Sequence, residues 1–153
     1  MTIKKVIRWL PALIWMGIIF YLSAQPAQES SELSSVVMHW LFGFVENWLT
    51  IDASFFHLVV RKGAHLSAYF ILVVLTMYAL GASFSLSKFR SHWIRAGLAF
   101  VICVLYAASD EIHQLFVPGR SGQISDVGID AFGALLGIGV YMIVEQGLRV
   151  WRT

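Results

Sequence analysis

The chain has 153 residues, is 58% hydrophobic and 13% charged, and has a mean hydropathy of +0.73. Those values lie outside the soluble globular range and make it an integral membrane protein, expected to form one domain. The single cysteine, Cys103, falls in an apolar run, which removes disulfide frameworks and zinc-thiolate sites. Net charge is only +2, and no nucleic-acid partner is expected.

Four apolar runs are long enough to cross the hydrocarbon core as helices, near residues 6–22, 66–83, 93–108 and 127–144. The first, in "KKVIRWLPALIWMGIIFYLSAQPA", is too long for a signal-peptide core and ends in a poor cleavage pair, Ser23 and Gln25. It is therefore expected to stay as an anchor. Between the first and second runs, residues 31–49 place Leu33, Val36, Val37, Trp40, Leu41, Phe44, Val45 and Trp48 at helical spacing. That pattern predicts an amphipathic helix along the membrane surface, or a cover over the bundle mouth.

Basic residues set the expected orientation. Lys4, Lys5 and Arg8 precede the first span, Lys88, Arg90 and Arg95 join the second to the third, and Arg149 and Arg152 follow the fourth: eight of eleven basic residues on one side. Both termini are thus predicted to be cytoplasmic. The acids fall on the opposite side, Glu145 excepted.

On this topology the unusual polar residues converge at one depth. Ser23 and Gln25 end the first helix, while Arg61, Lys62, His65 and Tyr69 begin the second. Asp110, Glu111, His113 and Gln114 end the third, and Asp126 and Asp130 begin the fourth. Arg61, His65 and Tyr69 are successive i, i+4 neighbours on one stripe, and Asp126 shares a face with Asp130. Gly133 and Gly137 continue that face as a GxxxG pair, which points to close packing inside the monomer. One ion pair among such groups would be structural. A dozen polar groups from four helices point to a functional cavity.

At these residues the chain resembles the VanZ-like family of teicoplanin-resistance-associated membrane proteins. The matching elements are "SAQP" at 23–26, "RKGAHLSAY" at 61–69 and "SDEIHQLFVPGRSGQISDVGIDAFGALLG" at 109–137. The resemblance implies a small protein of the bacterial cell membrane with a helical bundle. Together with the four spans and the amphipathic pattern read above, the expected fold is an all-α four-transmembrane-helix bundle with an amphipathic extracytoplasmic helix between the first two spans, the segment in which divergence from the family is expected. The resemblance also implies resistance to glycopeptides for some members, with no mechanism that carries over.

Three classes of function follow from the residues. In the first, Arg61, Lys62 and Arg120 hold the phosphate of an anionic lipid or lipid-linked envelope precursor. Ser23, Gln25, Tyr69, Glu111 and Gln114 then line the binding site. His65 or His113 would relay a proton, oriented by Asp110, Asp126 or Asp130. In the second, Asp110, His113 and the Asp126/Asp130 pair, joined by His65, ligate Zn²⁺ or Mn²⁺ in a metal-dependent hydrolase, although no HExxH pattern is present. The third is a non-enzymatic lipid or antibiotic binder or a proton-coupled membrane protein, against which the absence of an inverted repeat counts only for transport. Enzyme and binder both stay open at this level.

Overall fold

The computed structural model describes residues 3–42, 53–81 and 89–150, and every regular element among them is helical. The helices are α1 (Ile3–Ile7), α2 (Leu10–Ser23), α3 (Ala27–Phe42), α4 (Ala53–Leu80), α5 (Phe89–Gln114) and α6 (Ile124–Val150). Four segments are long and apolar enough to cross a membrane: Lys5–Ser23, Leu58–Leu80, His92–Gln114 and Ile124–Leu148. The chain is a multi-pass membrane protein.

The break between α1 and α2 has a local cause. Pro11 lies in the first turn of α2, where its missing N–H is harmless, but its ring opposes a continuous helix through Ile7. The two pieces together still make one apolar span.

The last three spans run beyond the apolar stretches visible in the sequence. Helix α4 is already helical at Arg61, Lys62 and His65, α5 carries Asp110, Glu111 and Gln114 in its final turns, and α6 carries Asp126 in its first. Of these, Asp110, Glu111, Gln114 and Asp126 are buried against neighbouring helices and Arg61, Lys62 and His65 are partly buried, so the helices continue there without apolar side chains. Helix α3 begins at Ala27, ahead of the predicted residue 31, and residues 43–49 of the predicted amphipathic segment lie outside the described residues. Along α3, Val36 and Trp40 are exposed, while Leu33, also partly open to solvent, lines the cavity described below.

The core is built from large residues on one helix and small ones on the next. Tyr69, Leu72, Val73 and Met77 of α4 are buried against Ala96, Ala99, Cys103 and Ala107 of α5 and Ala134 of α6. The α5 residues recur every three or four positions, a stripe without bulk along which another helix can approach closely. The most extensive helix contact is between α4 and α6. Gly133 meets the backbone of Leu66, and a Cβ on Gly137 would lie 2.7 Å from the Phe70 carbonyl oxygen. The GxxxG pair therefore packs α6 on α4 within the chain. Helix α2 is attached more loosely, through hydrogen bonds from Trp15 Nε1 to the Ala68 carbonyl (2.9 Å) and from the Tyr106 hydroxyl to the Met16 carbonyl (2.6 Å).

Candidate functional site

The antiparallel course of the spans brings four helix ends together: the carboxyl ends of α2 and α5 and the amino ends of α4 and α6. The turn between α5 and α6 closes over them. Gly119 has φ of 74°, a conformation in which a Cβ is disfavoured, and a Cβ there would also press on Ala27 at 3.1 Å. The neighbouring Pro118 carbonyl accepts a hydrogen bond from the Ala27 N–H at 3.3 Å. Arg120 fastens the same turn to α2, donating from Nε to the Gln25 carbonyl (2.9 Å) and from Nη2 to the Leu22 carbonyl (3.3 Å). These carbonyls belong to a helix carboxyl end, which lacks intrahelical donors and carries partial negative charge. Arg120 is thus a cap for α2 as well as a cation beside the site.

Beneath the turn is a cavity of about 360 Å³. Trp15, Ile18, Ile19 and Leu22 of α2 make an apolar wall. Ser23, Gln25, Arg61, His65, Tyr69, Asp110, Gln114 and Arg120 bring polar groups to the cavity, with Val60, Ala64 and Ala68 of α4 between them. The i, i+4 stripe of α4 explains how Arg61, His65 and Tyr69 reach it together. Ser23 Oγ, Arg61 Nη2, Tyr69 OH, Asp110 Oδ1 and Gln114 Oε1 are buried with no hydrogen-bond partner among the described residues. All five belong to residues that line this cavity. Buried polar groups in a folded protein are ordinarily paired, so this concentration marks the space as a place for a polar ligand or water.

Five other predicted site residues lie off the cavity. Lys62 pairs with Asp126, which also faces Arg61 at 3.7 Å. Asp130 faces His65, with Nδ1 3.2 Å from Oδ1. Glu111 accepts a hydrogen bond from the Gln123 N–H at 2.8 Å, holding the entry to α6 against the end of α5. Gly122 permits this, since a Cβ there would collide with the Glu111 carbonyl oxygen. His113 is turned elsewhere, its ring packed on Phe20 with centroids 4.4 Å apart. His65, Glu111 and Asp130 can each offer a metal-ligand atom, all within 4.8 Å of one another. Of the residues in the metal set expected from sequence, the structure places His65 and Asp130 in this group, with Glu111 in addition.

Charge at the cavity is unevenly compensated. Burial, then the positive charge of Arg61, push the Arg120 guanidinium below its ordinary pKa, and Asp110 and Glu111 oppose the shift. Two guanidiniums that repel one another across a cavity are a favourable setting for an anion.

A family model described as VanZ/LLP1 matches residues 8–145, a range that contains all of these groups. The chain belongs to the VanZ/LLP1 family. No curated protein and no solved structure matches it. The VanZ-like motifs map onto the site: "SAQP" supplies the α2 end, "RKGAHLSAY" the α4 stripe, and the long third motif the α5 end, the turn and the α6 acids. The association with teicoplanin resistance belongs to the VanZ family as a whole.

A second polar cluster lies at the other end of the bundle. Arg95, counted from sequence only as an orientation charge, is fully buried and donates from Nη2 to Glu145 Oε2 at 2.5 Å. His92 Nδ1 lies 3.1 Å from the same oxygen, and the guanidinium sits 5.4 Å from the Tyr141 ring centre. The signal was present in the sequence: Glu145 is the lone acid among the basic residues of that end. The apolar α2 wall of the cavity carried no comparable signal, because a wall residue and a lipid-facing residue look alike in an apolar run.

Proposed function

We propose that this VanZ-like protein binds an anionic lipid, or a lipid-linked envelope precursor, by its phosphate in the cavity at the end of the bundle where α3 lies. The observation that carries this reading is one cavity with an apolar wall from α2 and polar groups that include two guanidiniums, Arg61 and Arg120. An amphiphile with an anionic head matches both features: its chain lies along Trp15, Ile18 and Leu22, and its phosphate oxygens accept from Arg61 and the unshared Arg120 nitrogen. Ser23, Tyr69 and Gln114 bring unpaired polar atoms to the same space. The distribution of eight of eleven basic residues at the opposite end favours cytoplasmic termini and an outward-facing cavity. In a bacterial envelope that position meets outer-leaflet lipids and lipid-linked wall intermediates, which would connect the cavity to the family's glycopeptide association.

The test is native mass spectrometry of detergent-purified protein with phosphatidylglycerol and, separately, with zwitterionic phosphatidylcholine. One phosphatidylglycerol per chain should be retained in preference to phosphatidylcholine. A charged hydrogen bond contributes about 1.5–3 kcal/mol, so Arg61→Ala should weaken retention by about ten- to a hundredfold. Equal retention of the two lipids, or an unaffected Arg61→Ala protein, refutes the proposal. Loss of a biological phenotype in His65→Ala protein that still retains lipid would move the assignment from binder to enzyme.

A further inference from the structure

We infer that His65, Glu111 and Asp130 form a binding site for one divalent first-row metal ion, zinc or manganese, beside the cavity at the α4–α6 seam. The three residues come from three helices and bring their ligand atoms within 4.8 Å of one another, so one ion can reach all three. Glu111 and Asp130 are buried, and the His65 side chain is only 13% exposed. The neighbouring contacts already hold the ligands in place: the Gln123 N–H fixes one Glu111 oxygen, and Asp130 lies against His65 Nδ1. His65 Nδ1 lies 3.2 Å from Asp130 Oδ1, a gap that two neighbouring ligand atoms of one ion, each about 2 Å from it, can span.

A second observation, independent of the ligand geometry, concerns charge. Asp110, Glu111 and Asp130 are buried, yet none has a Lys or Arg partner within ion-pair distance among the described residues. Lys62 and Arg61 both face Asp126, and Arg120 donates to the carbonyls of Leu22 and Gln25. Removing a carboxylate from water without a partner is costly, and in a membrane more so. A divalent cation neutralises such a group directly.

The third observation is the orphaned acceptor set. Asp110 Oδ1 and Gln114 Oε1 are buried without donors, on side chains 3% and 0% exposed, and both residues line the cavity. Gln114 Nε2 reaches Asp110 Oδ2 at 3.3 Å and Glu111 Oε1 at 3.4 Å, which ties these acceptors to the ligand set. A water on the metal would supply the protons they lack. One imidazole and two carboxylates suit zinc or manganese better than magnesium or calcium, which prefer all-oxygen shells.

The ion also resolves a difficulty in the lipid proposal, and this part of the inference rests on that proposal. A phosphate drawn in by Arg61 and Arg120 would meet Asp110 and the Glu111/Asp130 pair behind it. With a divalent cation there, the charges of Glu111 and Asp130 are neutralised, and an open coordination position on the ion can accept a phosphate oxygen. No bond is made or broken in this step.

The test uses the full chain in detergent, stripped with a chelator and dialysed, then titrated calorimetrically with ZnCl₂ and MnCl₂ without added lipid. One equivalent per chain should bind, and His65→Ala and Glu111→Gln should each lower affinity at least about tenfold. His92→Ala, at the far end of the bundle, should bind as the wild type does. With Co²⁺ as the probe, visible d–d bands should appear and should change in His65→Ala. Each variant must retain the circular-dichroism melt of metal-free wild type; if Asp130→Asn does not, Glu111→Gln carries the test. No stoichiometric binding by the wild type, or wild-type affinity in both His65→Ala and Glu111→Gln, overturns the site. A chain that binds metal but shows no preference for phosphatidylglycerol keeps the site and removes the lipid proposal. One that prefers phosphatidylglycerol without binding metal does the reverse.

Discussion

Replacing Gly133 with alanine tests how closely α6 must approach α4 for the site to assemble. A Cβ at this position would fall inside contact distance of the Leu66 carbonyl oxygen and 3.1 Å from the Leu66 Cα and carbonyl carbons. All three are backbone atoms, so no side chain can swing aside. Non-bonded carbons pack best at about 3.5–4.0 Å, so α6 must withdraw from α4 by roughly 0.5–1 Å. Overpacking of this kind costs about 1–3 kcal/mol, or about five- to a hundredfold in the folded-to-unfolded ratio. Gly133 lies one turn from Asp130, and the same withdrawal would stretch the 3.2 Å His65–Asp130 contact beyond hydrogen-bond reach. At Gly128 and Gly139 of the same helix, an added methyl would meet no heavy atom within 4 Å. Alanine at those positions should be neutral or gain up to about 1 kcal/mol from lower backbone entropy in the unfolded chain. The assay is thermal unfolding of detergent-purified protein followed by circular dichroism, with the three variants in matched detergent. Gly133→Ala should melt well below both controls; a midpoint equal to that of Gly139→Ala would falsify the close-approach argument.

Removing Glu145 leaves the fully buried Arg95 guanidinium without its carboxylate, which costs about 3–5 kcal/mol. The Arg95→Met/Glu145→Leu double variant should therefore be more stable than Glu145→Leu alone, as read by unfolding midpoint; equal midpoints would show the pair to be uncoupled. Arg120→Ala should release the α2 carboxyl end, seen as faster amide hydrogen exchange at Ala24 and Gln25 with little change in the α4 and α6 cores, whereas unchanged exchange would show that the guanidinium is not the cap. The orientation is testable by cysteine labelling with an impermeant reagent on intact cells: Gln28→Cys should label and Lys88→Cys should not. Cys103 is buried in α5 and should stay silent; labelling only at residue 88 would invert the topology.

How far the site could be read from the sequence differs from residue to residue. The α4 stripe was visible because a helix repeats every 3.6 residues, so Arg61, His65 and Tyr69 had to share a face once that segment was helical. The packing role of Gly133 and Gly137 was visible for the same reason. His113 shows the limit: it lies three residues from Asp110, near enough in angle to be grouped with it, yet its ring rests on Phe20 while Asp110 and Gln114 line the cavity. A span edge drawn from apolar residues alone also stops short, because polar side chains facing the bundle interior continue the helix without hydrophobicity, as in α4 from residue 58 to 65.

Composition and run length by themselves determined a membrane protein with four spans, since the hydrocarbon core admits a helix only where about twenty residues are predominantly apolar. Charge placement and helical period determined that its polar residues gather at one end. Which partner each group faces was decided only by the tertiary structure. Lys62 meets Asp126, His65 meets Asp130, Glu111 caps the entry to α6, Arg120 holds α2, and Arg95 is buried on Glu145. The period of a helix fixes the angle of a side chain about its own axis. The rotation and register of one helix against the next come from which small residues let which backbones touch, as at Gly133 against Leu66, and that is a property of the packed bundle.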